Sequence, residues 1–184
     1  FKCLLKSFFC YDNIISGDKV KIETLVVGSL QENCYICTIG DYSFIVDPGD
    51  EAQEIIKACS NKNIKEILVT HYHFDHVGAL EELKKHFNLE ENVKTSYFDY
   101  EVIKTPGHTS DSVSFYFEKE KVLFSGDFIF YGTIGRMDLP TGSEIAMQDS
   151  LELISKYPKD TVVYPGHGSK TILGNEVKRF EYYF

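Results

Sequence analysis

The sequence predicts a layered α/β domain in which two sheets pack on each other and helices cover their outer faces. The order of elements predicts it, because strands alternate with helices in the first half and the same kinds recur in the second. The length of 184 residues corresponds to about one domain, and a hydrophobic content of 43% is enough to build a core. We expect an N-terminal extension over residues 1–18 and one folded domain over residues 19–184.

Apolar, β-rich runs in the first half are separated by Gly and polar residues, which is typical of strands joined by turns. These predicted strands are Lys19–Gly28, Asn33–Ile39, Tyr42–Asp47 and Ile64–Thr70. Apolar residues at helical spacing predict a helix over Asp50–Ser60 and a second helix from Val77 to Phe87.

The second half repeats this pattern. Its predicted strands are Tyr100–Lys104, Ser112–Phe117, Lys121–Ser125 and Thr161–Tyr164. A helix is predicted from about Ser143 to Tyr157, and Thr141 with Glu144 three residues later has the spacing of a capping box at its start.

Charge and cysteine usage restrict the classes of function. The net charge of −9 repels phosphate backbones, so we expect no nucleic-acid partner. No apolar run approaches the roughly 18 residues of a membrane span, so we expect no membrane partner. Cys34 and Cys37 lie on a predicted strand, where residues three apart point to opposite faces, so we interpret them as core thiols. Reduced cysteines suit a cytoplasmic protein.

The segment Thr-His-Tyr-His-Phe-Asp-His, residues 70–76, lies where a predicted strand gives way to a helix. His71 and His73 alternate around one residue, so an extended backbone places both side chains on one side. Asp75 and His76 follow as the chain turns into the helix, where they can face a second point a few ångströms away. The segment therefore predicts a metal site.

Three more residues of ligand type follow apolar strands, each beside a glycine that permits a tight turn. They are His108 in Thr-Pro-Gly-His-Thr, Asp127 in Phe-Ser-Gly-Asp and His167 in Tyr-Pro-Gly-His-Gly. Imidazole and carboxylate without thiolate suit zinc, iron or manganese. Seven ligands are too many for one tetrahedral ion, so they predict two divalent metal ions, zinc first among them, that share Asp127 as a bridge.

The ordered motifs T-H-x-H-x-D-H, T-P-G-H-T, G-D and P-G-H-G resemble those of the metallo-β-lactamase superfamily, over residues 20–175. The resemblance implies a four-layer αβ/βα sandwich with the metals at one sheet edge. It implies that the first metal is held by His71, His73 and His108. It implies that the second is held by Asp75, His76 and His167. Asp47, in the family's early D-x-G element, would support the ligand loop.

Within that superfamily, residues 126–140 resemble the small glyoxalase II-like hydrolases. This resemblance implies that Arg136 binds the carboxylate of the substrate's thiol carrier; the alternative is a salt bridge to Asp138 or another acid of the loop. Asp127 argues against β-lactam cleavage, because β-lactamases of this fold commonly carry cysteine or another arrangement at that position.

Two neighbouring metal ions can hold a bridging hydroxide at neutral pH and polarise a carbonyl, so we expect hydrolysis without a side-chain nucleophile. Asp75 and Asp127 are the expected catalytic carboxylates. A small-molecule thioester such as S-lactoylglutathione is the favoured substrate, because a thiol with a pKa near 8.5 leaves without a dedicated acid. The alternatives are a persulfide dioxygenase with one iron, a lactonase and a phosphodiesterase of the same fold. The sequence does not indicate how many chains assemble.

Overall fold

The structure, a computed structural model, describes residues 20–184. The predicted N-terminal extension, residues 1–18, lies outside this range, as do Cys3 and Cys10. The first half of the described chain forms β1 (Lys21–Val27), β2 (Glu32–Ile39), β3 (Tyr42–Val46), α1 (Ala52–Ala58), β4 (Ile64–Leu68), α2 (Phe74–Val77) and α3 (Leu80–Phe87). The four strands form one sheet in chain order, antiparallel except for the parallel pair of β3 and β4 that α1 connects.

The second half builds another sheet and its own helices. Its elements are β5 (Glu101–Lys104), β6 (Val113–Phe117), β7 (Val122–Gly126), β8 (Ile129–Phe130), β9 (Thr133–Ile134), α4 (Glu144–Ile154), β10 (Val162–Pro165), β11 (Thr171–Ile172), α5 (Leu173–Val177) and a 3₁₀ turn over Phe180–Tyr182. The five-stranded sheet has the spatial order β11-β10-β7-β6-β5, in which β10 and β7 are parallel. Strands β8 and β9 form a separate hairpin.

Three apolar cores hold four layers together and confirm the predicted sandwich. Between the sheets, Phe44 of β3 stacks on Phe117 of β6 with 4.9 Å between ring centroids. On the outer face of the first sheet, α1 and α3 contribute Ile55 and Leu83. On the outer face of the second, α4 contributes Met147 and, with α5, covers that sheet. Within residues 20–184, every helix is too short or too polar to cross a bilayer.

The two cysteines of the C-x-x-C spelling lie on opposite faces of β2, as the sequence predicts. Cys34 is buried in the core beneath α1 and α3, whereas Cys37 is buried in the core between the sheets. Both are free thiols. They are therefore packing residues and cannot chelate one ion together.

Two local predictions are wrong. The helix predicted from Val77 to Phe87 is divided into α2 and α3, and at the break the Ala79 N–H donates to the Pro48 carbonyl at 3.0 Å, outside the helix. The cap of α4 is Ser143, whose hydroxyl accepts from the Ala146 N–H, so Thr141 does not form the capping box.

Strand direction positions the functional residues. Strands β3 and β4 are parallel, β7 and β10 are parallel, and β5 has the direction of β7 because both are antiparallel to β6. All five carboxyl ends therefore lie at one edge of the sandwich. The Asn33 N–H donates to the Gly166 carbonyl at 2.7 Å and ties the two sheets together at this edge.

Candidate metal centre

The seven predicted ligands converge at the edge where these strands end. They fall into overlapping groups of three, and within each group the ligand atoms lie within 4.8 Å of one another. These groups are His71–His73–His108, His71–His76–Asp127 and Asp75–His76–His167. Five of the seven lie in the segments that follow strands β4, β5, β7 and β10, and Asp75 and His76 lie in the short helix α2 that comes next after β4.

The first group consists of three imidazoles. His73 Nδ1 lies 3.1 Å from His71 Nε2 and 2.9 Å from His108 Nε2. The extended backbone at His73, with φ −65° and ψ 146°, presents this ring beside that of His71, as the alternation predicts. Three ring nitrogens thus point at one place, as three protein ligands of a catalytic zinc ion do.

The second group combines one carboxylate with two imidazoles. Asp75 Oδ2 lies 3.2 Å from His167 Nε2 and 3.9 Å from His76 Nε2. His76 is fully buried, whereas Asp75 and His167 keep 14% and 27% of their side chains exposed. The group therefore has a buried side and a side open to solvent.

Asp127 lies between the two groups. Its Oδ1 is 3.4 Å from His76 Nε2, and its Oδ2 is 3.5 Å from His108 Nε2 and 3.7 Å from His167 Nε2. The two oxygens of this carboxylate thus lie close to histidines of both groups. This is the position that a bridging ligand requires.

In three of the five histidines, the far ring nitrogen has a partner that orients the ring. His108 Nδ1 lies 2.8 Å from the Arg136 carbonyl, and His71 Nδ1 lies 3.1 Å from the Thr70 hydroxyl. His76 Nδ1 lies 3.0 Å from Asp47 Oδ2. Each contact places a proton on the far nitrogen and leaves the inward nitrogen able to bind a cation.

Asp47 supports one histidine of each group. It accepts hydrogen bonds from the Thr70 N–H and hydroxyl, both at 2.7 Å, and Thr70 in turn accepts from His71. Its second oxygen accepts from His76 as well. The backbone of Asp47 has φ +48°, a conformation that costs a non-glycine residue roughly 1 kcal/mol or more. The carboxylate's three bonds and its burial hold this strained conformation in place.

The electrostatics favour positive charge beside Asp127, either a proton on His76 or a bound cation that replaces it. Burial lowers the pKa of His71 to about 2, so its imidazole is neutral and its lone pair is available. Burial alone would lower the pKa of His76, but the carboxylates of Asp127 and Asp47 raise it well above the ordinary value. Burial alone would raise the pKa of Asp127, but His76 and the nearby imidazoles lower it to about 2. Asp127 is therefore an anion among basic rings.

The residues present fit a metal centre. His76 Nε2 and Asp127 Oδ1 are buried, face each other and lack a hydrogen-bond partner within the described chain, a costly arrangement that a bound cation would relieve. Close packing by Gly166 permits it, since a Cβ there would lie 2.3 Å from Asp127 Oδ1 and 2.6 Å from His76 Cε1.

The side chain of Arg136 lies outside this cluster. Its guanidinium donates two hydrogen bonds to Asp138, at 2.7 and 2.6 Å, while both side chains stay more than half exposed. The structure thus contains the salt bridge to Asp138 that the sequence offered as the alternative. The substrate-binding role of Arg136 stays a prediction.

Three contributors were missed by sequence reasoning. The Thr70 hydroxyl and the Arg136 carbonyl orient His71 and His108, and Glu32 lies buried beside His76. Thr70 belongs to the motif and could have been found there. A backbone carbonyl has no sequence signature, and Glu32 stands in an ordinary strand.

Comparison with known proteins agrees with this geometry. The family model for the metallo-beta-lactamase superfamily matches residues 27–91 and 98–167. A relative from Haemophilus influenzae, hydroxyacylglutathione hydrolase GloC, is 30% identical over 85% of this chain and 95% of its own.

Two solved structures are also similar. The BLEG-1 B3 metallo-beta-lactamase superimposes with a TM-score of 0.80 at 29% identity, over 88% of this chain and 98% of that one. TTHA1623, described in a di-iron-bound form, superimposes with a TM-score of 0.76 at 30% identity, over 84% and 96%. The chain belongs to the metallo-β-lactamase superfamily.

Proposed function

We propose that this protein is a hydrolase with a dinuclear centre of divalent metal ions, most simply zinc, that cleaves small-molecule thioesters of the S-lactoylglutathione type. The observation that carries the proposal is the position of Asp127, whose two oxygens lie within 3.7 Å of histidines from both ligand groups. A site for one metal ion needs neither the second group nor a carboxylate between them.

The residues of this chain have distinct tasks in the proposed reaction. When bound, the metal ions supply an activated water and polarise the scissile carbonyl. Asp127 keeps its negative charge because its pKa is about 2. Asp75, on the open side of the second group, accepts the proton of the attacking water. Asp75 and Asp127 are thus the catalytic carboxylates of the proposal.

Covalent catalysis by a thiol is not needed. The cysteines of the described chain, Cys34, Cys37 and Cys59, are buried, and burial raises the pKa of each thiol. Their reduced state also supports a cytoplasmic location as part of the proposal. A thioester suits such a site, because the leaving thiolate needs no acid to protonate it.

Relatives support the thioester over other esters. The similarity to a protein named hydroxyacylglutathione hydrolase extends over most of both chains. In this proposal one catalytic domain spans residues 19–184, and the substrate is a small molecule rather than nucleic acid or membrane. Arg136 exchanges Asp138 for a carboxylate of the thiol carrier, at little cost because solvent screens an exposed ion pair.

The test is a substrate panel measured together with the metal content of the purified protein. The panel contains S-lactoylglutathione, a lactone, a phosphodiester and, because of the B3 relative, a β-lactam. We expect two metal ions per chain and turnover of the thioester above the others. Variants His71→Ala and Asp127→Asn abolish it, whereas His86→Ala, an exposed histidine outside the cluster, does not.

One bound iron with oxygen uptake would replace this proposal with the persulfide dioxygenase. Faster turnover of the lactone or the phosphodiester would show that the same centre acts on that substrate class instead of on thioesters. Each outcome therefore identifies one of the alternatives.

A further inference from the structure

Glu176 of α5 is a buried carboxyl group that the proposed reaction does not use. Only 1% of its side chain is exposed, and its oxygens accept three hydrogen bonds. Oε1 accepts from the Thr171 hydroxyl at 2.6 Å. Oε2 accepts from the Arg179 guanidinium at 2.9 Å and from the Gly132 N–H at 3.0 Å. Thr171 and Arg179 are near in the sequence, whereas Gly132 lies 44 residues away, between β8 and β9.

The hairpin of β8 and β9 is joined at its base to the candidate metal centre. It begins two residues after Asp127 and ends two residues before Arg136, whose carbonyl lies 2.8 Å from His108 Nδ1. A Cβ on Gly135 would lie 1.8 Å from the Asp127 carbonyl oxygen, so the two ends of the hairpin pack closely on each other. The base of the hairpin is therefore held by contacts that do not involve Glu176.

The tip of the hairpin lies beside the solvent-exposed histidine of the second ligand group. The Phe130 ring is half-buried, and its centroid lies 6.3 Å from that of His167. Tyr131 comes next, and 66% of it is exposed. Tyr131 and Gly132 form the two-residue turn, in which Gly132 has φ +77°, a conformation that glycine adopts without strain. Two aromatic side chains therefore border the open side of the centre.

The bond from Gly132 to Glu176 ties this tip to the body of the domain. A two-stranded hairpin is only marginally stable by itself. Helix α5, by contrast, is packed into the core of the second sheet through the fully buried Leu173. The bond thus fixes the tip, and with it Phe130, relative to His167. An oxygen atom that accepts a hydrogen bond is sufficient for this task, so the charge of the carboxyl group is not required.

We infer that Glu176 is a positioning residue that holds the hairpin tip through Gly132, so that Phe130 and Tyr131 form one wall of the substrate site beside His167. The inference rests on the proposed function, because the wall serves the substrate of the same centre. The metal ligands at the base of the hairpin keep their places without this bond. Substrate binding therefore depends on Glu176, and the chemical step does not.

The first test measures KM and kcat for S-lactoylglutathione in the zinc-loaded protein. Glu176→Met has no acceptor for the Gly132 N–H, so KM rises at least about fivefold while kcat stays within about twofold. Glu176→Gln keeps the original KM, because its amide oxygen accepts from Gly132 and its NH₂ donates to the Thr171 hydroxyl. The matched control is Thr171→Val, which removes another buried bond of Glu176, leaves the Gly132 bond in place and keeps the original KM.

The second readout depends on neither activity nor metal. The chain contains no tryptophan, so Tyr131→Trp introduces a single fluorophore at the hairpin tip. We expect its fluorescence anisotropy to fall when Glu176→Met is added and to stay unchanged when Glu176→Gln or Thr171→Val is added. A general loosening of the domain would instead lower the anisotropy with Thr171→Val as well.

Amide hydrogen exchange in the original protein tests the bond without any variant. The Gly132 N–H should exchange more slowly than an unprotected amide, although the residue is exposed. Unprotected exchange at Gly132, an unchanged KM in Glu176→Met, or equal rises in KM in Glu176→Met and Thr171→Val would overturn the inference. An original protein that hydrolyses no thioester would reject the proposed function instead, and the anisotropy and the exchange would still decide whether Glu176 holds the tip.

Discussion

Replacement of Asp47 by Asn tests how the chain orients its ligands. The carboxylate accepts three buried hydrogen bonds: from the Thr70 N–H on Oδ1, and from the Thr70 hydroxyl and His76 Nδ1 on Oδ2. An amide has one acceptor oxygen and one NH₂ donor. Because the Thr70 N–H is fixed by the backbone and can only donate, the amide oxygen of the replacing asparagine takes the Oδ1 position. The amide NH₂ then takes the Oδ2 position and faces the Thr70 hydroxyl and His76 Nδ1.

The consequence for His76 is a change of tautomer. An NH₂ beside Nδ1 makes that nitrogen an acceptor, which places the ring proton on Nε2, the atom that faces Asp127. A protonated Nε2 cannot bind a metal ion. Loss of this kind of support typically costs 10–100-fold in metal affinity, roughly 1.4–2.8 kcal/mol, and the wrong tautomer places Asp47→Asn at the upper end.

The assay is zinc titration of Asp47→Asn beside a control, Asp50→Asn. Asp50 is an exposed aspartate of the same loop and makes its only described hydrogen bond to the neighbouring Glu51 N–H. We expect loss of the second zinc step in Asp47→Asn and none in Asp50→Asn. Two zinc ions bound with original affinity by Asp47→Asn would refute the tautomer argument.

Three further outcomes follow from the geometry. Gly166→Ala places a methyl 2.3 Å from Asp127 Oδ1, so the variant folds with fewer zinc ions per chain, as measured by metal analysis; a full complement contradicts the close approach. The folded-state pKa of Asp127 is about 2, below the ordinary 3.8. Its contribution to the unfolding free energy is therefore present above about pH 4 and lost as the pH falls towards 2. Acid denaturation of the chelated protein should therefore show a decline in unfolding free energy on the order of 2 kcal/mol over that window, absent from Asp127→Asn. Arg136→Ala raises the KM for a glutathione thioester several-fold with kcat unchanged, and an unchanged KM removes Arg136 from the substrate site.

Much of the candidate metal centre could be predicted because four of its seven candidate ligands lie within residues 71–76. Within residues 70–76, the alternation of His71 and His73 on extended backbone sets their shared direction in any fold. The other candidate ligands, His108, Asp127 and His167, each follow a predicted strand in the sequence. Their positions after strand ends indicated that they meet at one edge of the sheets. The count of ligands then favoured two ions over one.

What could not be predicted depends on packing between distant segments. The burial of Glu32 arises where β2 meets the loop of His167, 135 residues later, and nothing near Glu32 in the sequence indicates it. The break between α2 and α3 likewise lies where the Ala79 N–H donates to the Pro48 carbonyl of another loop. The cap of α4 at Ser143 rather than Thr141 reflects the bond from the Ser143 N–H to the Gly107 carbonyl, which fixes where the helix begins.

The proposal of a dinuclear thioesterase is tested most directly by the rate of S-lactoylglutathione hydrolysis, measured against equivalents of zinc added to the metal-free protein. The position of Asp127 between the two ligand groups predicts that the rate rises until two equivalents are bound and then stays constant. A plateau at one equivalent, or no hydrolysis with two bound, would contradict the account.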